Sequence, residues 1–374
     1  MAKTVIIAAL AVLTGISVVQ YVRVMQPDKE VWYHHYEHCY ELDLPLPVKD
    51  ITEFKHIVIA AGVDQSKLFS LGADNVDSGK LLALWNLNST SPSYTEVKIR
   101  NYPNDTYFQP FGMYFVRNSD ALYVLNHAFN RGGSRVDIFN LTADDQDVEA
   151  SYHGSMILPT ELHGRHGDLI VESDFEVYLS EFSSYPLDQT GGPQSSYGYY
   201  RSLLDNFLQI KNTCVWQCTF ALNSVGNCRA LNNTSAVSVT GITKDKFGEY
   251  MVSYSSFDYN WVAYYERNWR KGDFELQRSV ALRDRIERIE WDHGSQRVYG
   301  ASMPWFFSFD DRLPGGAIEI KNWESVSGLV YRRLYLQENL QKGTTCAVRK
   351  FDRTIAGSAL EKGVLVCPMT GPNN

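Results

Sequence analysis

The chain has 374 residues, of which 44% are hydrophobic and 21% charged, enough to bury a sizeable core and too apolar for disorder over most of its length. Its 35 basic residues are outnumbered by 43 acidic ones, and the formal charge of -8 comes without a long run of either sign, which argues against nucleic acid as the main partner. Tyr (23), Phe (18), Trp (8) and Gly (26) are frequent. That balance suits aromatic strands separated by tight turns better than helical bundles, so the expected fold class is all-β.

Thr4 to Val19 form one uncharged apolar run bounded by Lys3 and Arg23. At about 1.5 Å per residue, 16 to 19 residues reach roughly 24 to 28 Å, close to a hydrocarbon core of about 30 Å. A signal peptide would end in small residues, but the run continues into QYVRVMQP, so residues 1–24 are read as a membrane signal anchor. Residues 25–38 form a stalk. Within it His34-His35-Tyr36-Glu37-His38 literally matches H-x-x-E-H, but it lies between an anchor and the segment LDLPLP, where a stable metal-binding helix face is not expected.

Glycosylation sequons at Asn88, Asn104, Asn140 and the overlapping Asn232 and Asn233 all follow the anchor. They place residues 39–374 in the endoplasmic reticulum lumen or outside the cell, as a single-pass membrane protein. Six cysteines agree with an oxidising compartment.

After the stalk, hydrophobic strands recur in pairs. The clearest are His56–Gly62, Lys80–Asn86, Ala121–His127, Ser134–Phe139, Phe175–Phe182, Gly248–Ser255, Trp261–Glu266, Gln296–Ala301, Ala317–Lys321, Ala347–Phe351 and Gly363–Cys367. The remaining roughly 340 residues divide into six units of about 57, the scale of propeller blades. Ser184 to Tyr200 is a loop by composition, and Arg201 to Ile210 is the best short helix. No linker divides the region, so 39–374 is expected to be one six-bladed propeller. Such a ring must be held shut, and Cys39 with Cys367 would be the clasp. Cys218 and Cys228 are the preferred hairpin cross-link, with Cys214 and Cys346 left as a pairing that stays open.

Enzyme signatures are sparse. Gly72 to Lys80 has the wrong spacing for a phosphate loop, and no G-x-S-x-G elbow exists. His163 and His166 sit in the polar turn LHGRHGD and are read as solvated.

Several collinear segments resemble the paraoxonase (arylesterase/lactonase) family: Cys39 to Asp50, Gln109 to Met113, Val124 to His127, Gly167 to Leu169 with Val177 to Asp188, Val239 to Thr243, Glu287 to Asp292 and Val364 to Met369. The resemblance implies a six-bladed propeller whose tunnel holds two calcium ions, an N-terminal apolar segment and a disulfide between the ends. At the positions matching the catalytic calcium ligands this chain has Lys49, Gly167, Thr240, Arg288 and Glu287, of which only Glu287 could coordinate. Of the family's histidine pair one position is Phe111, and only His127 persists. No catalytic metal is therefore expected, and His127 and Glu287 are the residual acid/base candidates. Asp50 and Asp168 match carboxylate ligands of the second, structural calcium and Met113 its backbone carbonyl, so one structural calcium is the cofactor expected. Lys49 and Arg288 would supply, around Glu287, the positive charge of the missing ion.

A membrane-anchored, glycosylated chain without those ligands is similar to nematode paraoxonase-like proteins that assist assembly of degenerin-type sodium channels. The expected function is accordingly that of a non-enzymatic chaperone or accessory subunit of another membrane protein such as a cation channel of the degenerin type. The alternative is a calcium-dependent lactonase or arylesterase with a rebuilt site.

Overall fold

The computed structural model describes residues 39–369 apart from 65–66, 68–76, 90, 129–130, 145–146, 187–200, 202–203, 257–258, 304–313 and 322–329. The anchor, the stalk and the His34–His38 motif lie outside the described residues. Among the described residues no helix is long and apolar enough to cross a membrane.

The fold is all-β, and its order starts with a strand shared between two sheets. Strand β1 (Tyr40–Phe54) pairs antiparallel through its second half with β2 (Ile57–Gly62), which continues to β3 (Lys80–Trp85) and β4 (Ser93–Glu96). After β5 (Lys98–Arg100), a second antiparallel group runs β6 (Pro110–Val116), β7 (Ala121–His127), β8 (Ser134–Ala143) and β9 (Val148–Ile157). The third contains β10 (His166–Ser173), β11 (Glu176–Glu181) and β12 (Thr213–Thr219). Its fourth strand is β14 (Asn227–Ala236), while β13 (Ser224–Val225) adds to β9 in parallel.

A fourth group follows as β15 (Val239–Lys244), β16 (Tyr250–Ser255), β17 (Asn260–Asn268) and β18 (Asp273–Leu282). A fifth comprises β19 (Arg285–Asp292), β20 (Arg297–Met303), β21 (Pro314–Lys321) and β22 (Val330–Lys342). The last is β23 (Thr344–Lys350), β24 (Arg353–Ser358) and β25 (Lys362–Pro368), completed by the first half of β1, where Tyr40 faces Val366. The first strands of the groups touch in the order β1, β6, β10, β15, β19, β23, and β23 returns to β1. The strands are thus arranged as a propeller.

Burial follows from this stacking. Inner strands are covered on both faces, so β2 (IVIAAG) and β7 (ALYVLNH) are buried at every residue. Outer strands have one wet face, and β18 mixes exposed Glu275 and Leu276 with buried Phe274. Between groups the cores are apolar and aromatic: Ile59, Leu81, Leu122 and Phe139 share one cluster, and Tyr178, Tyr250 and Phe274 another. Each such fully buried side chain contributes on the order of 2 kcal/mol.

Cys39 is bonded to Cys367, so the clasp falls where the first strand pairs with the last, and Cys218 is bonded to Cys228 across β12 and β14. Cys214 and Cys346 are not joined; both are free and buried, one on β12 and the other on β23. The polar turn at 163–166 also differs from expectation. His166 is buried with Nδ1 on the Leu162 carbonyl, and His163 Nε2 reaches the Leu158 carbonyl at 3.0 Å, because the segment folds inward to satisfy its own backbone. Residues 204–208 are helical, inside the segment expected to be a helix. Asn88, Asn104, Asn140, Asn232 and Asn233 are all exposed.

Candidate functional site

Each of the six first strands slips register by one residue, near its start in five of them and, in β1, just after its pairing with β2 begins. The residues left without a partner are Lys49, Phe111, Gly167, Thr240, Glu287 and Thr345. A bulge bends its strand and re-aims the extra side chain, and six at one level turn those residues into a ring. Five of the six are positions singled out from sequence. Thr345 was not; its hydroxyl donates to the Val48 carbonyl at 3.2 Å and so ties β23 to β1.

The next residue on each strand forms a second level: Asp50, Gly112, Asp168, Gly241, Arg288 and Cys346. Charged residues alternate there with small ones. A Cβ on Gly112 would lie 3.0 Å from the Gly167 carbonyl and 3.1 Å from Asp168 Cα. One on Gly241 would lie 3.1 Å from Arg288 Cα, so the two glycines let the charged strands approach.

The three charged members meet. Arg288 Nη1 lies 2.7 Å from Asp50 Oδ2, Nη2 lies 2.5 Å from Asp168 Oδ1, and Nη2 donates to the Met113 carbonyl at 2.9 Å. The carboxylates are held from behind, Asp50 Oδ1 by the Ile51 N–H and Asp168 by the N–H groups of Leu169 and Ile242. All three side chains are buried. Burial pushes the Asp50 carboxyl up to about 7 and that of Asp168 up to about 6, with the Arg288 guanidinium opposing both shifts.

Asp50, Asp168 and Met113 therefore converge, but on a guanidinium. Calcium needs six to eight oxygens at about 2.3 to 2.6 Å. An ion on these same oxygens would lie roughly 4 Å from the guanidinium, at a cost of about 4 kcal/mol per unit of its charge for an effective dielectric near 20. The donor set as it stands does not fit calcium. Nor does Arg288 act around Glu287, as the sequence suggested. Glu287 sits on the bulge and pairs with Arg285 Nε at 2.6 Å, while Arg288, one residue on, is aimed at the aspartates.

Lys49 lies over the Phe111 ring, 6.0 Å from its centroid; burial pulls its pKa below the ordinary lysine range while Glu287 opposes the shift. Phe111 in turn packs edge-on against His127 at 4.5 Å. His127 Nε2 is 2.7 Å from the His166 carbonyl and Nδ1 is 2.7 Å from Ser134 Oγ. A carbonyl only accepts, so Nε2 carries the proton and Nδ1 accepts from the hydroxyl. Burial lowers the His127 pKa to about 4. Thr240, at the fourth bulge, donates its hydroxyl to the Ile286 carbonyl at 2.6 Å.

Sequence reasoning missed Ser134, Arg285 and Glu290. Glu290 follows Arg288 by two residues on β19, on the same strand face, and lines an open cavity with Glu53, Arg117, Lys244 and Arg349. Burial holds its carboxyl well above the usual range, with Arg288 opposing. The spacing of two was the available signal.

No protein-family model matches the chain, and no curated protein matches it. Among solved structures it is similar to a protein described as a "putative gluconolactonase", at 12% identity over 88% of this chain and 92% of that one, TM-score 0.47. It is also similar to a chain of a mitotic checkpoint complex, at 13% identity, coverage of 91% and 94% and TM-score 0.45. The WD40 repeats of RRP9 match at 11% identity, 91% and 99% coverage and TM-score 0.43. These likenesses carry no argument about function, and the propeller arrangement rests on the strand pairing and strand contacts of this chain.

Proposed function

We propose that the chain is a non-enzymatic, paraoxonase-like glycoprotein. Its six four-stranded groups act as six blades, its N-terminal segment anchors it in a membrane, and the propeller lies in the endoplasmic reticulum lumen or outside the cell. There it assists assembly of another membrane protein, a cation channel of the degenerin type, and confinement to one membrane raises the effective concentration of the pair.

The observation that carries the non-enzymatic reading is the state of the two residual acid/base candidates. His127 is sealed under Phe111 with both ring nitrogens engaged, and Glu287 is paired with Arg285. A general base must reach a substrate proton, and neither group is free to do so. The exposed sequons and the two disulfides support the compartment.

The test uses the full chain in nanodiscs, assayed on lactones and phenyl acetate, and then co-expressed with a degenerin-type channel. The expected result is background hydrolysis, equal in the wild type and His127→Gln, together with co-purification and raised surface levels of the channel. Turnover abolished by His127→Gln would overturn the non-enzymatic reading. Unchanged channel levels without co-purification would overturn the partner.

A further inference from the structure

We propose that the Arg288 guanidinium is a built-in cation that locks the propeller axis where a metal ion would otherwise be needed, and that removing it turns Asp50, Asp168 and the Met113 carbonyl into a site for a hard divalent cation of the calcium class. This does not depend on the membrane or partner reading.

Three features carry it. The acceptors come from three neighbouring strands, β1, β6 and β10, while the cation comes from β19, which touches none of them in the ring order, so one planar group ties one side of the ring to the other. Every acceptor is an oxygen, which is the chemistry a hard cation requires and a softer one does not prefer. The carboxylates are fixed independently of Arg288, because Ile51, Leu169 and Ile242 donate backbone N–H groups to them. Truncating the arginine therefore leaves two oriented carboxyl groups and a carbonyl around the volume of a guanidinium. Glycines at the intervening positions keep the strands close enough for all three acceptors to face one ion.

The experiment measures thermal midpoints of the full-length protein in detergent, with millimolar CaCl2 or with EDTA. For the wild type the two midpoints should agree within about 1 °C. Arg288→Ser should melt lower in EDTA and recover by about 5 °C or more with calcium, and adding Asp168→Asn should remove the recovery. A wild-type midpoint that falls in EDTA and returns with calcium overturns the proposal. So does an Arg288→Ser protein that folds and ignores calcium. If Arg288→Ser does not fold in either condition, the metal content of dialysed wild type decides: no retained calcium supports the built-in cation, whereas one equivalent lost in Asp50→Asn overturns it.

Discussion

His127 accepts the Ser134 hydroxyl across 2.7 Å, and Ser134 in turn accepts the Gly164 N–H at 2.9 Å. The pair has the composition of a nucleophile and its base, yet both are buried and the far ring nitrogen donates to the His166 carbonyl. Replacing the imidazole removes the acceptor of the Ser134 hydroxyl proton and a donor to the His166 carbonyl. His127→Gln should lose about 1 to 3 kcal/mol of stability by urea titration, with hydrolysis at background before and after.

The same histidine gives a pH signature. Its folded pKa, about 4, lies below the ordinary 6.5, so the unfolded chain binds the proton more readily. Its contribution is present above pH 6.5 and is lost as the pH falls through 4, by roughly 3 kcal/mol in all. Asp50 and Asp168 shift in the opposite sense and buried His166 in the same one, but all three are common to both proteins, so the difference between them reports the histidine that was changed. The gap in midpoint between wild type and His127→Gln should narrow on going from pH 7 to pH 4.

The two disulfides should differ in effect. Cys39–Cys367 spans 328 residues and Cys218–Cys228 spans 10. In the chain-entropy model those loops correspond to about 6 and about 3 kcal/mol. The double serine variant of the clasp should melt well below that of the hairpin, by calorimetry under identical buffer.

Glycan occupancy is checkable site by site. With all five asparagines exposed, endoglycosidase treatment of protein made in microsomes should shift its mobility by four steps. Asn88→Gln, Asn104→Gln and Asn140→Gln should each remove one step, and the last should vanish only when Asn232 and Asn233 are both changed.

Much of the fold was legible. Runs such as KLLALW and ALYVLNH mark strands because they are buried on both faces, and the cysteines at the two ends marked the clasp. Outer strands such as β14 and β18 were not recognised, since their mixed polarity reads as loop. The site was half legible. Resemblance picked out five of the six bulge residues, but a one-residue register slip leaves no mark in composition, so Thr345 went unnoticed. The slip also decides that Glu287 and Arg288, adjacent in sequence, find different partners. Nothing local to Asp50 or Asp168 says that their counter-charge waits more than a hundred residues downstream.

Strand β1 belongs to the first group and the last, and this sets a clock on biosynthesis. Tyr40–Pro47 can pair only with β25, which is made after nearly everything else. At about 5 to 20 residues per second the ribosome needs roughly 15 to 65 s to travel from Cys39 to Cys367. Through that interval the nascent chain carries an unpaired strand edge and a Cys39 thiol whose partner has not yet been made, so completion of the ring is the last event of folding and the stage at which folding factors have their longest opportunity to act.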